Sequence, residues 1–201
     1  MLPFSLARAD AVIVPSIFSE KEALKFYPQL KKKLFVTYEA ADKIFRPVDK
    51  IAAKSFLSKK YALKDPFLLV LNSKYQKKNI NRVINAFRIL RKTFPGLNLV
   101  IVGGSFNIKK PESELEKVKI IEKVTDEELV ALYSSCEIFI YYSLYEGFGL
   151  PVIEALNCKA VVIASDIEVL KEITKNSVVY ANPLKAEDLA RKVKLLLEDK
   201  Q

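Results

Sequence analysis

Residues 145–156 read Y-E-G-F-G-L-P-V-I-E-A-L and stand close behind the apolar run E-I-F-I-Y-Y at residues 137–142. A short unbroken run of that kind fits a strand buried on both faces. Gly147 and Gly149 let the backbone turn tightly and approach a ligand with no Cβ in the way. Pro151 suits the first helical position, where its missing N–H leaves nothing unpaired. The order is therefore strand, glycine loop, helix N-terminus. Free N–H groups at such a helix start, with the positive end of its dipole, make an anion site suited to phosphate. Glu146 and Glu154 flank that site. As carboxylates they are poor partners for phosphate and better acceptors for hydroxyl groups on either side of it.

The same alternation of strand and helix runs from about Val48 onward, which marks a parallel sheet covered on both faces. Strands are expected at residues 66–72, 98–102, 118–121, 137–142, 160–164 and 177–180. Helices are expected at residues 50–60, 79–94, from Asp126 with Thr125 as N-cap, from Ser165-Asp166, and at 186–198. Ile80, Val83, Ile84, Phe87 and Leu90 share one face of the second of these helices. Ahead of them, residues 9–15 and 33–37 read as two short strands. The helix between them is expected to begin at Ser19, with Glu22 at capping-box spacing, and to fade near Pro28.

The stretch around Glu146 resembles the signature of retaining glycosyltransferases of the GT-B fold, of the group 1 or family 4 type. Their pattern is E-G-F-G-x-P-x-x-E-A, and Glu146, Gly147, Phe148, Gly149, Pro151, Glu154 and Ala155 all fall in register. The resemblance implies an α/β fold with a Rossmann-like parallel sheet, the C-terminal half of a GT-B enzyme. Residues 48–201 would be the nucleotide-sugar (donor) binding domain. Residues 1–47 would be the end of the N-terminal domain and the crossover, because A-D-A-V-I-V-P-S-I-F-S is similar to that domain's last strand and helix. A complete GT-B enzyme has two such domains, each of ~100–200 residues, so 201 residues hold one and part of another.

Site residues follow from the same resemblance. Glu146 would lie by the donor sugar in a polarising, catalytic role, and Glu154 would accept hydrogen bonds from the ribose. Amides of Gly147, Phe148, Gly149 and Leu150 would hold the sugar and the distal phosphate. Lys74 and Lys78, in N-S-K-Y-Q-K-K-N, would grip the diphosphate and stabilise the charge that grows as it leaves. Relatives have arginine where Lys74 stands, and lysine lacks the planar fork. Gly104 would let the ligand lie against the backbone, and Val124 would help hold the base. Lys159 occupies a helix end where relatives place glycine in a left-handed conformation.

The implied reaction moves a sugar from a nucleotide diphosphate sugar to a hydroxyl acceptor with no cofactor and no metal. The chain has no histidine and no Asp-x-Asp pair, so a divalent ion has no obvious seat. Cys136 and Cys158 stand in apolar surroundings and read as core thiols in a reducing compartment. No basic region followed by an apolar core opens the chain, so no signal peptide is read and a cytoplasmic location is expected. Lys and Arg outnumber Asp and Glu by 33 to 24. That balance favours a solvated basic surface first and peripheral contact with an anionic membrane next. Nucleic acid comes last and is not expected as a partner, since no aromatic-plus-basic stacking motif of the RNA-binding modules occurs. The apolar strands within residues 2–38 lack most of a sheet, so a homodimer or a partner chain is expected there. A non-catalytic nucleotide-sugar-binding or assembly module, and a structural domain with a vestigial site, stay open beside the enzyme.

Overall fold

The computed structural model describes residues 2–63, 66–73, 76–104 and 117–199. A helix not expected from the residue pattern, α1 (Leu2–Arg8), comes first, then a strand, β1 (Val12–Val14). Helix α2 (Ile17–Phe26) and a 3₁₀ turn (Pro28–Lys32) lead to β2 (Leu34–Val36). β1 and β2 pair in parallel as a two-stranded sheet of their own.

Helix α2 starts three residues earlier than its sequence suggests. Ser16, in an extended conformation, is the N-cap, and its Oγ accepts from the Ser19 N–H at 3.0 Å. Ser19 is thus already inside the helix, and Glu22 pairs with Lys25 rather than closing a capping box. Either serine fits the cap preference. The hydroxyls of both serines also meet one acceptor far along the chain. A capping box does form at Thr125 and Glu128, at the start of α5.

The main sheet follows α3 (Lys50–Tyr61) and comprises β3 (Phe67–Leu71), β4 (Asn98–Val102), β5 (Val118–Ile121), β6 (Ile138–Tyr141), β7 (Val162–Ser165) and β8 (Val179–Ala181). Its order is β5-β4-β3-β6-β7-β8, with every neighbouring pair parallel. Helices α4 (Ile80–Arg91), α5 (Asp126–Ser135), α6 (Leu150–Asn157), α7 (Glu168–Thr174) and α8 (Ala186–Glu198) complete the layers.

The period of two within each strand divides the core. Leu68, Val70, Leu99, Ile101, Ile138 and Ile140 point to one face, against Val83, Phe87 and Leu90 of α4 and Leu189 and Val193 of α8. Phe67, Leu69, Val100, Phe139 and Tyr141 point to the other, against α3, α5, α6 and α7. Burying each such side chain stabilises by about 1.5–3 kcal/mol. The fold is the expected Rossmann-like α/β sheet with helices on both faces. Its order reverses between β3 and β6, and in open α/β sheets ligands bind at the carboxyl ends of the strands on either side of such a reversal.

Candidate functional site

The loops after β3 and β6 lie side by side because those strands are neighbours. After β6, residues 142–149 turn into α6, with Leu150 rather than Pro151 as its first residue. Gly149 is the N-cap at φ 113°, and a Cβ there would sit 2.7 Å from Leu170 Cδ2. Glycine is therefore required twice over, for its conformation and for the approach of α7. The amides of Gly147, Phe148, Gly149 and Leu150 find no acceptor among the described residues.

Glu146 is 7% exposed. Lys78, closing a 3₁₀ turn (Gln76–Lys78) after β3, donates to Glu146 Oε1 at 2.8 Å and to the Tyr141 hydroxyl at 3.0 Å. Its Nζ also stands 4.4 Å from the centre of the Tyr141 ring, in cation–π range. Lys77 approaches Glu146 Oε2 at 3.4 Å. Burial alone pushes the Glu146 carboxyl up, but the hydrogen bond and charge of Lys78, with Lys77 behind it, hold it below the usual value. It is an ionised carboxylate in a nearly dry place, with two ammonium groups at hand.

Glu154 has the opposite environment. It is half-buried on α6, and the Tyr133 hydroxyl of α5 donates to its Oε2 at 3.2 Å. Burial raises its pKa, the Tyr133 bond works against that, and the charge of Asp126 adds to the rise. No lysine or arginine pairs with it among the described residues. It remains an open acceptor one helical turn from the glycine loop.

Gly104 follows β4 with φ 58°, next to Gly103 at φ 96°. A Cβ on Gly103 would meet the Asn72 carbonyl oxygen at 2.4 Å, so the loops after β3 and β4 run in contact. Val124 lies between β5 and α5, packed against the α3–α5–α6 side of the core. Lys74 and residues 105–106 lie outside the described residues. Among those described, no three His, Cys, Asp or Glu side chains converge on a metal position. Nor is any helix long and apolar enough to cross a membrane.

Sequence reading missed the residues that reach this loop from the N-terminal segment. Ser16 Oγ and Ser19 Oγ donate to the Gly147 carbonyl oxygen at 2.7 and 2.8 Å. Glu172 of α7 accepts from the Ile17 and Phe18 amides at 2.7 and 2.9 Å and from the Tyr38 hydroxyl at 2.9 Å. The Phe18 and Tyr145 rings meet at 5.8 Å, and those of Tyr38 and Phe148 at 6.2 Å. A serine pair at a helix start signals a cap but not a partner more than a hundred residues away. Tyr141 falls in the run read as a buried strand, and neither its hydroxyl nor that of Tyr133 carries a local signal.

Residues 53–201 match the family model of glycosyl transferases group 1. The chain belongs to that family. It is 28% identical to the serotype-specific mannosyltransferase WbdA of Escherichia coli, over 96% of this chain and 25% of the relative. It is 30% identical to the O-antigen chain mannosyltransferase RfbU of Salmonella typhimurium, over 91% of this chain and 50% of the relative. Among solved structures, a sucrose-phosphate synthase from Thermosynechococcus elongatus superposes with a TM-score of 0.75 at 26% identity, over 96% of this chain and 50% of that one. Anabaena HepE, in complex with UDP and glucose, superposes with a TM-score of 0.78 over 96% of this chain and 55% of that one. At 17% identity that last likeness speaks for the fold alone. This group 1 chain thus spans about a quarter to a half of the length of these curated relatives.

Proposed function

We propose that this chain is the donor-binding part of a retaining glycosyltransferase, moving a sugar from a nucleotide diphosphate sugar to a hydroxyl acceptor without metal or cofactor. One observation carries the reading. Lys78 and Glu146 come from loops 68 residues apart and meet at 2.8 Å, at the strand-order reversal, beside unpaired glycine-loop amides. A simple turn needs neither a largely buried ion pair nor a run of free N–H groups next to it in the chain. Among the relatives, the O-antigen chain mannosyltransferase RfbU supports glycan synthesis as the process. HepE with UDP and glucose supports a nucleotide sugar as the ligand.

In this reading Lys78, with Lys74, meets the diphosphate and stabilises the charge left on it as the sugar departs. The acceptor oxygen attacks on the face from which the diphosphate leaves. Glu146 lies by the sugar and polarises it, while Glu154 takes the ribose hydroxyls, and Gly104 and Val124 border the nucleotide. Positive charge for the leaving group comes from lysine, so a strong chelator should leave nucleotide binding unchanged. Loss on chelation, restored by magnesium or manganese, would count against the reading. Two buried free thiols fit a reducing, cytoplasmic setting. The net charge of +9 leaves a basic surface for anionic lipid.

The test is Lys78→Ala. Loss of a charged contact to phosphate should weaken nucleoside diphosphates by roughly 1–3 kcal/mol and leave the bare nucleosides nearly unaffected. Calorimetry with UDP, GDP and ADP against uridine, guanosine and adenosine measures both. Equal losses would show that Lys78 does not face the phosphates. The free glycine-loop amides serve a second reading equally, a nucleotide-sugar-binding module that does not turn its ligand over. Sugar transfer to an added acceptor, with or without a partner chain, separates the two.

A further inference from the structure

Two hydroxyl groups converge on one carbonyl oxygen in the glycine loop. Ser16 and Ser19, one turn apart at the start of α2, both donate to Gly147 O, at 2.7 and 2.8 Å. A carbonyl oxygen has two lone pairs, and here both are taken. Gly147 has no side chain to hold its own backbone, so an unanchored peptide at this point would rotate readily. The peptide unit is planar and trans, so the Gly147 C=O and the Phe148 N–H point in opposite directions. Anchoring the oxygen on α2 therefore turns the Phe148 N–H away from α2. That N–H meets no acceptor among the described residues.

The anchor is itself firmly held. Ser16 Oγ donates to Gly147 while accepting the Ser19 amide, which fixes its rotamer. The next two amides, of Ile17 and Phe18, are both taken by Glu172, which also receives the Tyr38 hydroxyl. Such donors also polarise the peptide and make its N–H a better donor.

We infer that Ser16 and Ser19 are positioning residues, which lock the Gly147–Phe148 peptide so that the Phe148 N–H faces a phosphate oxygen of the bound nucleotide diphosphate. This rests on the donor-site reading proposed above. It adds that the N-terminal segment, outside the matched family region, sets the geometry of the phosphate site. Glu172 supports the two serines by fixing the start of α2.

Three variants test it in the full chain. Ser19→Ala removes one donor and touches no cap. Ser16→Asp keeps an acceptor for the helix cap but faces Gly147 O with an acceptor in place of a donor. Ser19→Thr keeps the hydroxyl and serves as the rescue. UDP, GDP and ADP are titrated beside their nucleosides, and the Phe148 amide resonance is followed in ¹⁵N–¹H spectra. The expected result has the native chain bind at least one diphosphate, with the Phe148 amide proton moving downfield. Ser19→Ala should then bind that diphosphate roughly three- to tenfold more weakly, and Ser16→Asp more weakly still, with nucleoside affinity unchanged and the threonine variant near native. Unchanged diphosphate affinity in Ser19→Ala, an equal loss for diphosphate and nucleoside, or a Phe148 resonance indifferent to diphosphate overturns the inference and leaves the donor-site reading standing. Binding of none of the three diphosphates by the native chain overturns both.

Discussion

Two glutamates eight positions apart are shifted in opposite directions because their neighbours differ. Glu146 sits beside two lysines and is held below the ordinary value against the pull of burial. Its ion pair therefore stabilises the fold above the unfolded carboxylate's pKa and fades as pH falls through the depressed one. Glu154 has only a tyrosine hydroxyl, and burial lifts it. For a carboxylate raised in the folded state the sign reverses, and its contribution to stability declines as pH rises through the raised value. Ribose binding needs the ionised form and runs the other way. Nucleotide affinity should hold at neutral pH and begin to fall on acidification above the ordinary glutamate value of 4.5. Glu154→Gln should weaken nucleotide diphosphates by roughly 1–3 kcal/mol, as charged hydrogen bonds become neutral ones, and should remove that pH dependence. It should also raise the melting temperature of the ligand-free chain at neutral pH, because a buried charge is gone. Calorimetry and thermal melts across pH read all three. A glutamine variant with native affinity and a flat native pH profile would remove Glu154 from the ribose. The identities of both acids were legible from the motif. Their opposite environments were not, since Lys77, Tyr133 and Tyr141 reach them only through the tertiary fold.

At the scale of elements, the strands of the main sheet were legible because a parallel sheet buried on both faces writes unbroken apolar runs such as F-L-L-V-L. The bounds of β4 and β5 are those expected, while the ends of the other four moved by one or two residues, where hydrogen-bond partners rather than hydropathy decide. Helix ends carry a further lesson. Lys159 was expected in a left-handed conformation from the glycine that relatives place there, and it has φ 60°. Ala62 and Lys175 end α3 and α7 in the same way. The left-handed penalty for a residue with a Cβ is about 1–2 kcal/mol, while glycine loses about 0.5–1 kcal/mol through the freer unfolded chain. Lys159→Gly should therefore stabilise the chain, by up to about 1 kcal/mol, without altering ligand affinity. Urea unfolding decides it, and a loss of stability would mean that the Lys159 side chain makes a compensating contact. The start of α2 was misread because Ser16 and Ser19 satisfy the same local rule and both donate to Gly147, far along the chain. What separates them is the extended backbone that Ser16 adopts, with its Oγ on the Ser19 amide.

For the whole molecule, the N-terminal segment presents two different sides. One is covered: α2 packs on α7, Lys21 pairs with Glu168 at 2.6 Å, and Tyr38 reaches Glu172 and Phe148. The other is bare. Ile13 of β1 and Phe35 of β2 are register partners and so share a face, and they are 69% and 54% exposed. Phe4 and Phe26, in the same segment, are exposed as well. Each Å² of apolar area removed from water there is worth about 25 cal/mol, and a parallel pair of strands with free edges offers backbone groups to a further strand. In a purified sample the one available cover is a second copy. Light scattering at low micromolar concentration should then give about twice the mass of one chain, and Ile13→Asp with Phe35→Asp should restore the monomer. Neither side chain takes part in the contacts that hold Gly147, so the double variant should keep its nucleotide affinity. A native chain that is monomeric at that concentration would show that the bare face is too small to hold a dimer. A dimer that survives both aspartates would place the contact on another surface.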